Sequence, residues 1–281
     1  LRYIGEKVVN ETKKKKKDFD VPVAPMPPRP SGLVGTKQIL DAPGPEGLVS
    51  WIHEQKKLLI TDTTMRDAHQ SLMATRVRTR DMTRIARATS VYGNDLFSLE
   101  MWGGATFDVA YRFLNESPWE RLEDLRQRIP NVMFQMLLRG SNAVGYKNYP
   151  DNVIKAFIKQ SSISGIDIFR IFDSLNWLDG MKLAIEEVRN NNKVAEACIC
   201  YTGDILDETR DKYTLKYYVD MAKELERLGA NILGIKDMAA LLKPYAADKL
   251  IRALKQEISI PIHLHTHDTS GNGVATVLMA A

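Results

Sequence analysis

The chain has 281 residues, 44% of them hydrophobic, and a formal net charge of +4. That is enough apolar material for one large core or two small ones, which excludes a disordered chain. No apolar run approaches the roughly 18 residues of a membrane span, and the opening LRYIGEKVVN lacks the regions of a signal peptide, so a soluble, non-secreted protein without a membrane partner is expected.

The charge is local. Five of the basic residues form the run KKKKK at 13–17, and removing them leaves 34 basic against 35 acidic residues. A solvated lysine run is expected there, and no nucleic-acid partner. Ahead of it, LRYIGEKVVN reads as one isolated strand that must pair outside this segment. Residues 18–50 hold seven of the twelve prolines and read as an extended connector with at most a short helix near TKQIL. The folded body is expected from about Trp51.

From there strands and helices alternate. Candidate strands are LLITD (58–62), LFSLEM (96–101), VMFQMLL (132–138), IDIFRIF (166–172), EACICY (196–201), NILGI (231–235) and IPIHLHT (260–266). Between them lie helical stretches such as TLKYYVDMAKELERLG, with Leu215, Tyr218, Val219, Ala222 and Leu225 at helical spacing and Gly229 as a stop. Strand starts recur roughly every 34 residues, close to one βα unit of an eight-fold barrel. The expectation is an α/β fold, a (β/α)8 TIM barrel with seven of its eight units in this chain. An open doubly wound sheet is disfavoured because TTMRDAHQS, not a glycine-rich phosphate loop, follows the first strand. The two cysteines, Cys198 and Cys200, are too few and too close for a disulfide framework.

Three of the five histidines fall at alternate positions in IPIHLHTHD. In a strand His263, His265 and His267 project from one side. Three imidazoles stacked in a core would leave ring nitrogens needing partners, so metal binding is expected of His265 and His267, with His263 in a supporting role. Barrel enzymes place their chemistry at the C-terminal strand ends. There the sequence offers Arg66, Asp67 and Gln70, then Glu100, Arg139, Asp173, Lys236 and Asp237, and the histidine pair. Asp67 is the best third ligand, giving an Asp-His-His site suited to zinc or manganese.

Lys236 is open to three readings. It is a carbamate ligand after reaction with carbon dioxide, a Schiff-base lysine, or the partner of Asp237 or Asp173 in an ordinary salt bridge. Arg66 and Arg139 would place two guanidinium forks at the same mouth, which suits a small carboxylate-bearing substrate.

The segments TDTTMRDAHQSLMATRVRT (61–79), LRGSNAVGY (138–146), RIFDSLNW (170–177), GIKDMAALL (234–242) and HLHTHDTSGNG (263–273) resemble the carboxyltransferase domain of the biotin-dependent pyruvate carboxylases, over essentially all of 31–281. The related oxaloacetate decarboxylase and transcarboxylase subunits begin close to the DTTxRDAHQS motif, whereas about sixty residues precede it here. The resemblance implies metal ligation by Asp67, carboxylated Lys236, His265 and His267. It implies that Arg66, Gln70 and Arg139 hold pyruvate or its enolate, with Lys236 among the catalytic groups, and that Asp108 and Tyr146 line the pocket for the biotin ring.

It further implies that 1–50 is a connector and part of a small central domain for tetramer formation and effector response, with the barrel from 51 to 281 incomplete at its C-terminus. A catalytic threonine and a biotin carrier domain are expected beyond residue 281, and an ATP-using biotin carboxylase domain ahead of residue 1. The activity implied is that of an ATP- and biotin-dependent ligase, with carboxybiotin and pyruvate giving oxaloacetate in the cytoplasm, or in the mitochondrial matrix of a eukaryote. Three competing readings are a metal-dependent lyase or synthase sharing the DTTxRD start, a class I aldolase using Lys236, and a non-catalytic segment.

Overall fold

The computed structural model describes residues 33–281. The isolated strand at the start, the lysine run and the proline-rich stretch up to 32 lie outside the described residues. Seven strands alternate with helices: β1 (Thr61–Asp62), β2 (Ser98–Trp102), β3 (Met133–Leu138), β4 (Ile168–Ile171), β5 (Val194–Cys200), β6 (Ile232–Asp237) and β7 (Ile262–Thr266). All pair in parallel and in sequence order, so β1 and β7 are the two edges of one sheet. Residues just after β1 nevertheless touch β7, because the sheet curls round into seven-eighths of a (β/α) barrel.

The helices are α1 (Thr36–Asp41), α2 (Gly44–Glu54), α3 (His69–Met73), α4 (Thr79–Tyr92), α5 (Gly104–Val109), α6 (Pro118–Arg128), α7 (Asp151–Ser164), α8 (Asp179–Asn190), α9 (Leu215–Arg227), α10 (Pro244–Glu257) and α11 (Gly273–Ala280). Local chemistry sets several starts. Ser117 accepts the Glu120 amide at the head of α6, and Thr214 accepts the Tyr217 amide at the head of α9.

Strand alternation sorts the side chains into two environments. Leu99 and Met101, Phe134 and Met136, Phe169 and Ile171, Ala197 and Ile199, and Leu233 and Ile235 join the helices in the main core. Their neighbours turn into the barrel. At the strand starts these inward residues are apolar: Met133, Ile168, Val194 and Ile232 pack with Leu40 and Leu48 of α1 and α2. Higher up they are polar or charged: Glu100, Gln135, Arg170, Glu196 and Lys236. The barrel therefore has an oily floor and an ionic upper interior.

Two expectations change. The end of the stretch 18–50, read as connector with at most a short helix near TKQIL, instead contributes to two helices, Thr36–Asp41 and Gly44–Glu54, whose apolar side plugs that floor. The first strand is shorter than 58–62, since only Thr61 and Asp62 pair with β2, and Leu58 and Ile60 are 66% and 60% exposed. Among the described residues β1 has a partner on one side only, so its early residues gain no second ladder and no cover.

Candidate functional site

Immediately after β1 the chain makes a π-helical turn, Thr64–Ala68, started by the Asp62 carboxylate accepting from the Thr64 amide and hydroxyl. Such wide turns re-aim side chains. Here Arg66 and Asp67 are turned into the barrel mouth, both buried. Asp67 Oδ2 lies 3.4 Å from His265 Nε2 and 3.0 Å from His267 Nε2. One ligand atom from each of the three residues falls within 4.8 Å of the others, which makes them a candidate metal site.

The electrostatics fit a cation. Burial alone would raise the Asp67 carboxyl, but the two histidines and the Arg66 guanidinium at 2.9 Å hold it well below the usual carboxylate range, so it is an anion. Burial pushes His265 down to about 4, against the opposing pull of Asp67, so its imidazole is neutral near pH 7. His265 Nε2 is buried and finds no hydrogen bond. A neutral imidazole with an orphaned nitrogen beside a carboxylate is a donor set in want of an ion. The site opens into a cavity of about 950 Å³ that Arg170 and Thr269 also line.

Lys236 stands in register with His265 across the β6–β7 pair and is buried. Both carboxylates considered for it are otherwise engaged. Asp237 accepts the amides of Leu241 and Leu242, and Asp173 those of Leu175 and Trp177. Among the described residues Lys236 has no carboxylate within ion-pair distance, so the ordinary salt bridge is excluded. Burial, then the Arg170 charge, lowers its pKa and favours the neutral amine.

Arg66 also donates to Gln70 Oε1 at 3.2 Å and to Glu100 Oε1. Arg139 donates to the Gly145 carbonyl at 3.0 Å, and its guanidinium carbon lies 5.3 Å from the centre of the Tyr146 ring. Asp108 and Tyr146 do not join the metal cluster. They line a separate cavity of about 460 Å³ with Phe107, Tyr111 and Tyr149; Arg112 grips Asp108 at 3.1 Å, and Tyr146 is 74% exposed. His263 likewise stands apart, with Nδ1 3.0 Å from Glu196 Oε1.

Sequence reasoning missed the link between these groups. Glu100 Oε1 lies between Arg66 and Arg170 Nη1, the latter at 3.7 Å, and Arg170 Nε donates to Glu196 Oε1 at 2.9 Å. A chain of alternating charge thus runs from Asp67 through Arg66, Glu100 and Arg170 to Glu196, which His263 touches. The signal was one charged residue in the middle of each apolar run, IFRI and AEAC.

Over 98% of its length, the chain is 64% identical to the pyruvate carboxylase of Bacillus subtilis (strain 168). The chain closely matches one part of pyruvate carboxylase. It is 51% identical over its full length to the mitochondrial pyruvate carboxylase of Rattus norvegicus, and it spans about a quarter, 24%, of either relative. The carboxyl transferase domain of Rhizobium etli pyruvate carboxylase, solved with pyruvate and biocytin, superposes with a TM-score of 0.88 at 53% identity, covering 93% of this chain and 44% of that one. A family profile described as HMGL-like matches residues 173–281. The likeness to pyruvate carboxylase thus takes in the whole described sheet. No helix among the described residues is long and apolar enough to cross a membrane.

Proposed function

We propose that this chain carries the carboxyltransferase site of a biotin-dependent pyruvate carboxylase, which moves the carboxyl group of carboxybiotin to pyruvate and yields oxaloacetate. The observation that carries this reading is the Asp67-His265-His267 cluster with Lys236 in register beside it, in a chain so similar to pyruvate carboxylases. Asp67, His265, His267 and a carboxylated Lys236 would hold a divalent ion, zinc or manganese. Bound there, the ion supplies electrostatic stabilisation of negative charge developing on an oxygen.

The remaining roles belong to side chains. Arg66 and Arg139 grip the substrate carboxylate, each presenting a planar fork. Gln70, hydrogen-bonded to Arg66, holds that fork and offers its amide to the substrate. The oily floor beneath Glu100 and Arg170 keeps bulk water from entering below, which strengthens every charge interaction in the mouth. Asp108 and Tyr146 receive the biotin ring in the neighbouring cavity, with Arg139 between that cavity and the substrate. Biotin arrives on its carrier domain, charged by an ATP-using biotin carboxylase domain, in a homotetramer; residues 1–50 serve as connector and as part of a central domain, anchored by α1 and α2. The enzyme works in the cytoplasm, or in the mitochondrial matrix in a eukaryote, as the naming of the rat relative suggests.

The test uses the full polypeptide containing this chain. It is expected to exchange label between pyruvate and oxaloacetate when biotin is supplied, and Asp67→Ala or His265→Ala is expected to abolish both exchange and bound metal. Undiminished exchange in a metal-free Asp67→Ala protein would sink the reading. Trapping of pyruvate on Lys236 by borohydride would replace it with Schiff-base chemistry.

A further inference from the structure

Strand β2 ends in an irregular step. Glu100 pairs with Gln135 and Trp102 with Met136, so Met101 is an extra residue in the ladder. Bulges of this kind re-aim the chain at the rim of a barrel. Directly beyond the bulge stands the pair Gly103–Gly104, leading into α5.

Neither glycine is demanded by its own backbone. Gly103 has φ −149°, an extended value open to any residue, and Gly104 is the first residue of the helix with no positive φ. Inside the helix, as at Gly104, alanine is normally favoured over glycine by up to about 1 kcal/mol, whereas at the N-cap, Gly103, glycine is well suited. The reason for two glycines lies in what a side chain would meet. A Cβ on Gly104 would fall 2.4, 2.6 and 2.7 Å from Nη1, Cζ and Nη2 of Arg139, its three nearest atoms. A Cβ on Gly103 would fall 3.2, 3.3 and 3.4 Å from Cδ, Nη1 and Cζ of Arg66. Consecutive residues thus each have their side-chain space filled by a different arginine, one from the end of β1 and one from the end of β3, the strands flanking β2.

We propose that Gly103 and Gly104 form a double seat that sets the positions of the two guanidinium forks, with Gly104 the positioning residue for Arg139. This inference rests on the carboxyltransferase function proposed for the site, in which both arginines hold the carboxylate of a small 2-oxo acid. The seats differ in stiffness. Arg66 is tied down by Asp67, Glu100 and Gln70, and a Cβ on Gly103 would press on it less than one on Gly104 would press on Arg139, though still tightly. Arg139 is held on its far side by one carbonyl and by the face of Tyr146. A methyl on Gly104 therefore pushes the end of a flexible side chain aside and leaves the fold intact.

The experiment is a double-mutant cycle in the full polypeptide, reading pyruvate KM, kcat, metal content and Tm. Gly104→Ala is expected to raise KM roughly 10- to 100-fold through misplacement of the fork, with kcat changed far less and metal content unchanged. Added to Arg139→Ala, the same substitution is expected to change KM less than about twofold, because its effect runs through that arginine. Gly103→Ala is expected to have a smaller effect than Gly104→Ala. Three results overturn the seat: Gly104→Ala with normal KM while Arg139→Ala is impaired, an undiminished Gly104→Ala effect in the Arg139→Ala background, or a Gly104→Ala protein that fails to fold even when Arg139 is alanine. A normal KM in Arg139→Ala overturns instead the carboxylate-holding role, and the seat with it.

Discussion

Lys236 on β6 and His265 on β7 are cross-strand partners, both buried, and no carboxylate among the described residues lies within ion-pair distance of the lysine. A buried ammonium beside a cation site would repel the ion, whereas a carbamate would supply an anionic oxygen where the cluster lacks a fourth donor. Lys236→Ala is therefore expected to weaken metal retention by more than the roughly 10- to 100-fold that outer partners of a metal ligand contribute. Metal analysis after dialysis checks this, and apo-protein reloaded without bicarbonate should take up less metal than protein reloaded with it. Full occupancy in Lys236→Ala would refute the carbamate assignment.

Arg170 and Glu196 make a fully buried pair at 2.9 Å, Arg170 facing Glu100 on its other side. Burial raises the Glu196 carboxyl, yet His263 and Arg170 bring it down to about 2, so it is ionised at neutral pH. Glu196→Ala would strand the Arg170 charge and is expected to cost about 3–5 kcal/mol in urea unfolding. Arg170→Met combined with Glu196→Leu removes both charges and is expected to recover most of that loss. Equal instability of the double and single variants would show that shape, not charge, is at stake.

Glu116 joins the head of α4 to α6. Its Oε2 accepts from the Thr79 amide and hydroxyl and from Arg121 at 2.8 Å, and Arg121 Nε donates to the same hydroxyl. Burial raises the carboxyl, but the Thr79 and Arg121 contacts bring it down to about 2. Because the folded value lies below the unfolded one near 4.5, the stabilisation is complete above pH 4.5 and is lost as pH falls toward 2. With the group partly in solvent, about 1–2 kcal/mol is expected. Chemical unfolding of Glu116→Gln from pH 6 to pH 3 should show a correspondingly flatter slope than the parent.

Trp102, at the end of β2, sits edge-on to Phe107 at 4.8 Å and to Trp119 at 4.9 Å, and Phe157 completes the cluster. This block fastens α5, α6 and α7 to the strand that precedes the glycine pair. Trp102→Ala is expected to destabilise by about 3–5 kcal/mol. If the block also steadies Gly103 and Gly104, the variant should raise pyruvate KM at temperatures where it is still folded.

Much of this was legible in the residues themselves. Short apolar runs at regular spacing gave β2 to β7 to within two residues at each end, and the alternate spacing of His265 and His267 pointed to the cluster because an extended chain puts them on one face. Asp67 followed from its place after the first strand. Three things were hidden. Leu58 and Ile60 look like strand but lie on an edge with a single neighbour, and helix α2 was obscured by prolines that in fact stand near a helix start, as at Pro45, whereas α1 was foreseen as a short helix near TKQIL. The third was the charged interior: Arg170 and Glu196 read as interruptions of apolar runs until the register placed them side by side.

Asp67 and His265 meet although they belong to opposite edges of the sheet and lie about 200 residues apart in the chain. The gap between them is set by the accumulated twist of six strand pairings, much as the jaws of a calliper report what happens along its arms. A substitution deep in β4, far from any ligand, would thus register first as a change in metal affinity. Retention of the proposed ion would be a gauge of the curvature of the whole sheet.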